Sequence, residues 1–268
     1  MYSYLGSQEW ISAYETFLLL ALAACWWLAR SQARVAGVNP SHVDALMPLS
    51  LITGLALVVL LPGYDVRLFP LILGGAVALL AYSHATGLSL PTLADVLAMP
   101  TVVAVVVERV GCFLAGCCWG DVAIEDGWLD VIANTNVGRQ LQTLHWVTGE
   151  WVITAVTYPA GSLPYQQHLD AGLITADALR SLPVHPTQLY EAALLLLVAV
   201  LLGRRRYPRG SVAIASIAAY SLIRLGLGFL RADSRLIVGD LSLAQLLSAA
   251  LLVAAIGLHR LHTGPACN

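Results

Sequence analysis

Seven apolar stretches, each close to the length that crosses a bilayer, dominate this chain: Ile11–Ala29, Ala45–Leu61, Leu68–Ala85, Leu93–Cys118, Thr187–Leu202, Ser211–Leu230 and Leu241–Leu258. A helix needs roughly 20 apolar residues to span hydrocarbon, where every backbone polar group must be satisfied within the protein. Hydrophobic residues make up 58% of the 268, charged residues only 11%, and mean hydropathy is +0.75, too apolar for a water-soluble domain of this size. The expected fold is therefore all-α integral membrane, with about seven transmembrane helices in one polytopic domain spanning residues 1–268. There is no internal repeat, low-complexity tract or second soluble domain.

The basic residues orient these spans. Arg30 and Arg34 follow the first span, Arg204, Arg205, Arg206 and Arg209 the fifth, and Arg260 the last. All three groups fall on one side if the N-terminus is extracytoplasmic and the C-terminus cytoplasmic, the arrangement that positive residues favour. The opposite side carries the more dispersed Arg67, Arg139, Arg180, Arg231 and Arg235. All 14 basic residues are Arg, and the net charge of −2 gives no support to a nucleic-acid partner. Any anion site must be built from planar guanidinium forks.

The one long connection, residues 121–186, then lies outside the cytoplasm, and a loop of that length more often serves function than connection. Residues 151–158 are rich in β-branched side chains and read as a strand; Thr175–Leu182, between Gly172 and Pro183, has helix-forming composition. This loop is expected to fold as a small extracytoplasmic cap. Leu22–Cys25 looks like a lipoprotein cleavage box, but no basic residue precedes it and the apolar run continues through Trp26 and Trp27. An uncleaved first span is the expectation, with Cys25 a small apolar residue in a helix.

With the spans oriented, many polar residues share one depth. Tyr14 lies near the outer end of the first span, Gly74 and Gly75 in the outer part of the third, and Glu108, Arg109 and three cysteines in the outer half of the fourth. His185 and Glu191 stand at the entrance of the fifth, Arg224 beyond the middle of the sixth and Arg231 near its outer surface. An unpartnered guanidinium in hydrocarbon costs several kcal/mol, on the order of ~3, so Arg109 and Arg224 must face a counter-charge, a cavity or an anionic ligand. Pairing with Glu108 or Glu191 is the bland reading. A clamp for a phospholipid phosphate is the sharper one, because bidentate donors suit that group.

Two segments are specific enough to name as motifs. One is RVGCFLAGCCWG at 109–120, which gathers Cys112, Cys117 and Cys118 beside Arg109. A guanidinium neighbour favours a thiolate, and an extracytoplasmic setting permits a disulfide, either between Cys117 and Cys118 or from Cys112 to one of them. Three thiolates also suit a soft metal, although no paired CxxC or His-ligand spacing is present, so spacing predicts neither a metal nor a cofactor. The other motif is HPTQLYE at 185–191. Pro186 suits a first helical turn and Gln188 and Glu191 follow on one face, with Tyr190 at the interface.

Together with Tyr220, Arg224 and Phe229–Arg231 on the sixth span, these motifs resemble the bacterial prolipoprotein diacylglyceryl transferase family over most of the chain and in the same order. The resemblance implies a bacterial inner-membrane protein with seven spans and an external N-terminus. It implies transfer of a diacylglyceryl group from phosphatidylglycerol to a thiol, with release of glycerol phosphate. Arginines of the family hold the phosphate, which matches the reading of Arg109 and Arg224. The family has Asn where this chain has Cys112 and Glu where it has Cys117. It has His where Leu73 precedes Gly74 and Gly75, and Glu where Gly228 follows Arg224 by four residues.

These departures remove acid–base groups and add sulfur. Forming a thiolate for alkylation calls for a base. Glu108 and Glu191 remain in the membrane to supply one, and His185 or His145 from the cap. The expected activity is a membrane-embedded transferase moving a diacylglyceryl or related lipid group from a phospholipid to a protein or small-molecule thiol. Cys112, Cys117, Cys118, Glu191, Glu108 and His185 are its candidate catalytic residues. Arg109, Arg224, Tyr14, Gly74, Gly75, Gln188, Tyr190, Tyr220 and Arg231 are candidates for substrate binding. The alternative is a non-transferase membrane thiol protein that handles redox equivalents or a soft metal in the same fold.

Overall fold

The computed structural model describes residues 13–60, 68–123, 155–204, 207–232, 236–238 and 241–263. The described chain is mostly helical. Its elements are α1 (Ala13–Val35), α2 (Ser41–Leu60), α3 (Leu68–Thr86), α4 (Leu90–Ala115), α5 (Leu163–Asp170), α6 (Thr187–Gly203), α7 (Ser211–Leu227), a short 3₁₀ turn (Gly228–Leu230), β1 (Leu236–Val238), β2 (Leu241–Ser242) and α8 (Leu243–Thr263). Five helices, α1, α2, α4, α7 with its 3₁₀ extension, and α8, are long and apolar enough to cross a membrane; α3 from Pro70 and α6 are shorter apolar helices. Ile52, Val59, Leu222 and Val253 point outward from these helices, where a water-soluble fold would place polar groups.

Helix boundaries follow local chemistry. The fourth span was expected to run to Cys118, but α4 stops at Ala115 because Gly116 takes a left-handed conformation (φ 70°). The Gly116 amide donates to Phe113 O and the Cys117 amide to Cys112 O, the paired bonds of a Schellman cap. The last apolar stretch becomes helical at Leu243 rather than Leu241, because Leu241 and Ser242 pair with β1.

Two compact units make up the chain. The larger comprises Phe17–Glu108, Glu191–Phe229 and Ser234–Asn268. Within it α1 and α2 meet around Ala29, Ala33, Val43 and Val96, and Arg30 pairs with Asp44, which also accepts a 2.8 Å hydrogen bond from Trp26 Nε1. The α2–α3 contact is closer still. A Cβ on Gly74 would lie 2.4 Å from Gly54 Cα, and Thr53 Oγ1 donates to Gly74 O at 2.9 Å. Small residues that let backbones touch are the usual basis of helix association in lipid, which offers no hydrophobic drive between helices. Asp95 of α4 accepts from the amides of Gly210 and Ala213, satisfying donors at the start of α7 that have no partner within the helix. Val102, Leu195 and Ala199 join α4 to α6, with Tyr220 and Ile223 of α7 against them.

The smaller unit comprises Met1–Thr16, Arg109–Tyr190 and Leu230–Asp233. Its core is Trp119, Tyr158 and Val184, packed with Val156 and Ala232. Isolated antiparallel bridges join Gly120 to Arg231, Val122 to Val184, Val156 to Val184 and Pro159 to Arg180. The segment expected as a strand is therefore extended where it is described, from Ala155 to Tyr158; Trp151 and His145 lie outside the described residues. The helix expected at Thr175–Leu182 is absent. Thr175–Ala178 instead makes a single turn closed by the Ala178 amide on Thr175 O, and the end of the segment is held by the Ser181 amide donating to Tyr158 O and the Leu182 amide donating to His168 Nδ1. The cap helix is instead α5, started by Ser162, whose Oγ accepts from the Tyr165 amide, with Pro164 in the first turn.

Candidate functional site

In the smaller unit the last turn of α4 and its Schellman cap turn the chain back on itself. As a result the Sγ atoms of Cys112, Cys117 and Cys118 lie within 4.8 Å of one another. Cys112 is buried and the other two are half-buried. Among the described residues no disulfide joins these three cysteines or Cys25. Arg109, 5% exposed, is one helical turn before Cys112 and donates from Nη1 to its Sγ at 3.6 Å.

The second motif closes over this turn. Gln188 Nε2 donates to Cys117 O at 2.6 Å, and Thr187 Oγ1 donates to Cys118 O at 2.8 Å. Both acceptors belong to backbone beyond the end of α4, where carbonyls lack helical partners. Cys118 itself adopts a left-handed conformation (φ 62°), uncommon for a residue with a side chain. His185 exchanges backbone bonds with Gly120 and Asp121, and its Nδ1 stands 3.4 Å from Tyr190 Oη. The Asp121 amide donates to Leu230 O, next to the bridge from Gly120 to Arg231. Six sequence-predicted residues, Arg109, Cys112, Cys117, Cys118, Gln188 and Arg231, thus gather at this turn. Tyr14, half-buried at the start of α1, belongs to the same unit.

The larger unit holds the other charged candidates. Arg224 on α7 points Nη1 at Glu191 Oε2 on α6, 3.5 Å away, with side chains 10% and 2% exposed. Among the described residues Arg224 Nε has no hydrogen-bond partner. Tyr220, one turn earlier, packs on the Leu195 cluster. Glu108 is half-buried on α4. Gly74 is accounted for by the α2–α3 crossing, and Gly75 faces Ser50; the neighbouring Leu73 is 51% exposed.

Sequence reasoning missed four residues. Gln245 of α8 fills the space beside Gly228: a Cβ there would lie 2.5 Å from its Cγ. Gln245 Oε1 accepts from the amide and hydroxyl of Ser242, and Nε2 donates to Leu225 O, so a neutral amide occupies this space fully bonded. Tyr158 and Thr187 support the thiol turn, and His168 supports the cap. Burial pushes the Tyr158 hydroxyl up to about 12 and the His168 ring down, the latter against a smaller upward pull from Asp121. Thr187 lies inside the HPTQLYE motif, whereas Gln245, Tyr158 and His168 have no motif around them and were findable only as polar residues in an apolar setting.

Apolar helices long enough to cross a membrane, with a buried Arg–Glu pair on two of the helices, define an all-α membrane protein. The family profile of prolipoprotein diacylglyceryl transferase matches residues 71–260. The chain belongs to that family. It is 24% identical over 200 residues to phosphatidylglycerol–prolipoprotein diacylglyceryl transferase of Dehalococcoides mccartyi strain 195, covering 74% of this chain and 61% of the relative. The proteins of the same name from strains BAV1 and CBDB1 are 25% identical over 199 residues, covering 73% of this chain and 61% of each relative. The match thus spans about three fifths of the relatives' length.

Proposed function

We propose that this protein is a transferase of the bacterial inner membrane that moves a diacylglyceryl group from a phosphatidylglycerol-like lipid to the thiol of an incoming protein or small molecule. The observation that carries the reading is Arg224, a guanidinium at membrane depth with Glu191 on one side and Nε unused among the described residues. A buried charge with spare donors matches a phosphate ester, which accepts from both edges of a guanidinium. Glu191 orients the fork before lipid arrives. In the reaction the thiol sulfur attacks the terminal glyceryl carbon, a C–S bond forms, and the C–O bond to phosphate breaks. Glycerol phosphate leaves with the electron pair, and the thiol proton passes to a base, for which Glu108 and His185 are the candidates. The N-terminus and the 121–186 cap lie outside the cytoplasm in this reading, supported by the arginines that follow the first, fifth and seventh spans.

The test uses the purified full chain in nanodiscs containing phosphatidylglycerol, with a cysteine peptide or a small thiol as acceptor. Thioether product and an equal amount of glycerol phosphate are expected. Arg224→Gln should lose at least tenfold in rate. Turnover with neither acceptor in a folded preparation overturns the reading.

A further inference from the structure

The three thiols at the end of α4 are not required as donors of the reaction above, and their geometry has its own meaning. We propose that Cys112, Cys117 and Cys118 form a three-sulfur site for a thiophilic d¹⁰ cation, Zn(II) or Cu(I). The assignment goes beyond the transferase reading and does not rest on it.

The three Sγ atoms lie within 4.8 Å of one another. A metal bonded to three thiolates at roughly 2.3 Å in one plane needs sulfurs about 4 Å apart, so closing the set takes movements of less than ~1 Å. The backbone is already bent for it. The left-handed Gly116 reverses the chain after Cys112, and the left-handed Cys118 turns its own thiol back toward the other two. The Cys117 amide bonded to Cys112 O, with Gln188 and Thr187 holding the carbonyls of Cys117 and Cys118, fixes that turn from outside the sulfur set. Second-shell bonds of this kind orient ligands without occupying them.

Charge favours occupation as well. Three thiolates around Zn(II) or Cu(I) leave a net charge of −1 or −2, costly at this burial. Arg109, bonded to Cys112 Sγ at 3.6 Å, offsets one unit, and Arg231 also attracts negative charge on Cys118. On binding, each coordinating thiol releases its proton to solvent, and no electrons change hands. Cu(I) is satisfied by three sulfurs; Zn(II) keeps a fourth position for water or another thiol. Sequence spacing alone argued against a metal, since CxxxxCC is not a paired-ligand pattern; the left-handed turn makes the spacing work.

The test is an anaerobic titration of the reduced full chain in detergent with Zn(II) and, separately, Cu(I), each against a chromogenic competitor, and with Co(II) as an optical probe. One equivalent per chain is expected, with sulfur-to-cobalt charge-transfer bands, and the tighter of the two titrations identifies the ion. Bound metal should protect the 112–118 peptide from iodoacetamide. Cys117→Ser and Cys118→Ser, at half-buried positions, should each weaken binding at least tenfold while far-UV circular dichroism stays native. No binding by the folded reduced chain, or binding unchanged in the Cys117→Ser/Cys118→Ser double variant, overturns the proposal. Metal binding without lipid transfer would overturn the transferase reading alone, and transfer without metal binding this one alone.

Discussion

Arg224 on α7 and Glu191 on α6 approach to 3.5 Å between Nη1 and Oε2, both almost wholly withdrawn from the surface. Their separation is long for a bidentate pair, so the Arg224 guanidinium keeps capacity to bond elsewhere. A pair held this way neutralises itself in lipid yet leaves one face of the guanidinium for an anion.

Arg224→Gln leaves Glu191 without its cation in a buried setting. Loss of one partner of a buried pair costs about 3–5 kcal/mol, and the double variant Arg224→Gln/Glu191→Gln should recover most of it. Unfolding midpoints in detergent measure the stability; phospholipid binding should stay lost in both variants. Recovery of lipid binding in the double variant would show that the pair is structural only.

Gly228 stands where the wider family has Glu, and Gln245 occupies the space a side chain would need. Gly228→Glu should therefore destabilise by about 1–3 kcal/mol through overpacking. Combining it with Gln245→Ala makes room and should restore part of the thermal stability. If Gly228→Glu alone is neutral, the helices at α7 and α8 yield more easily than their contact implies.

The helix crossing at Gly54 and Gly74 predicts a sharp size limit. Gly74→Val places a branched side chain where even a Cβ would meet Gly54 Cα at 2.4 Å, so α2 and α3 must separate and Thr53 Oγ1 lose its bond to Gly74 O. A drop in melting temperature is expected, larger than for Gly75→Ala, whose nearest neighbour is Ser50 Cβ at 4.0 Å.

The cap should be sensitive to pH on both sides of neutrality. His168 is buried, its pKa lies below the ordinary value near 6.5, and Nδ1 accepts from the Leu182 amide. The unfolded chain then binds a proton more readily, so this stability is full above pH ~6.5 and is lost as pH falls below it. Tyr158, raised to about 12, behaves in the opposite sense: its contribution is full below pH ~10 and is lost as pH rises through 12. Hydrogen exchange of the Leu182 amide read between pH 7 and 5 checks the acid limb; His168→Gln, which can still accept this bond, should flatten it.

Much of the architecture was legible in the chain because lipid imposes strict terms on composition. Apolar runs near 20 residues became helices, although α1 continues to Val35, past the expected end at Ala29, and the cysteines of RVGCFLAGCCWG come together at one turn. The cap was misread. Thr175–Leu182 has helix-forming residues, but Ser162 and Pro164 start a helix earlier and the later segment finds better partners in Tyr158 and His168. Local propensity is weak beside such bonds, which join residues distant in sequence.

By itself, then, the sequence determined that this is a helical membrane protein and which family motifs it carries, because backbone satisfaction in hydrocarbon leaves few other solutions. Only the tertiary structure decided that Cys112, Cys117 and Cys118 converge, that Gln245 fills the space beside Gly228, and that Arg224 meets Glu191. Those outcomes depend on a left-handed turn and on helix packing, and neither is encoded by residue type at one position.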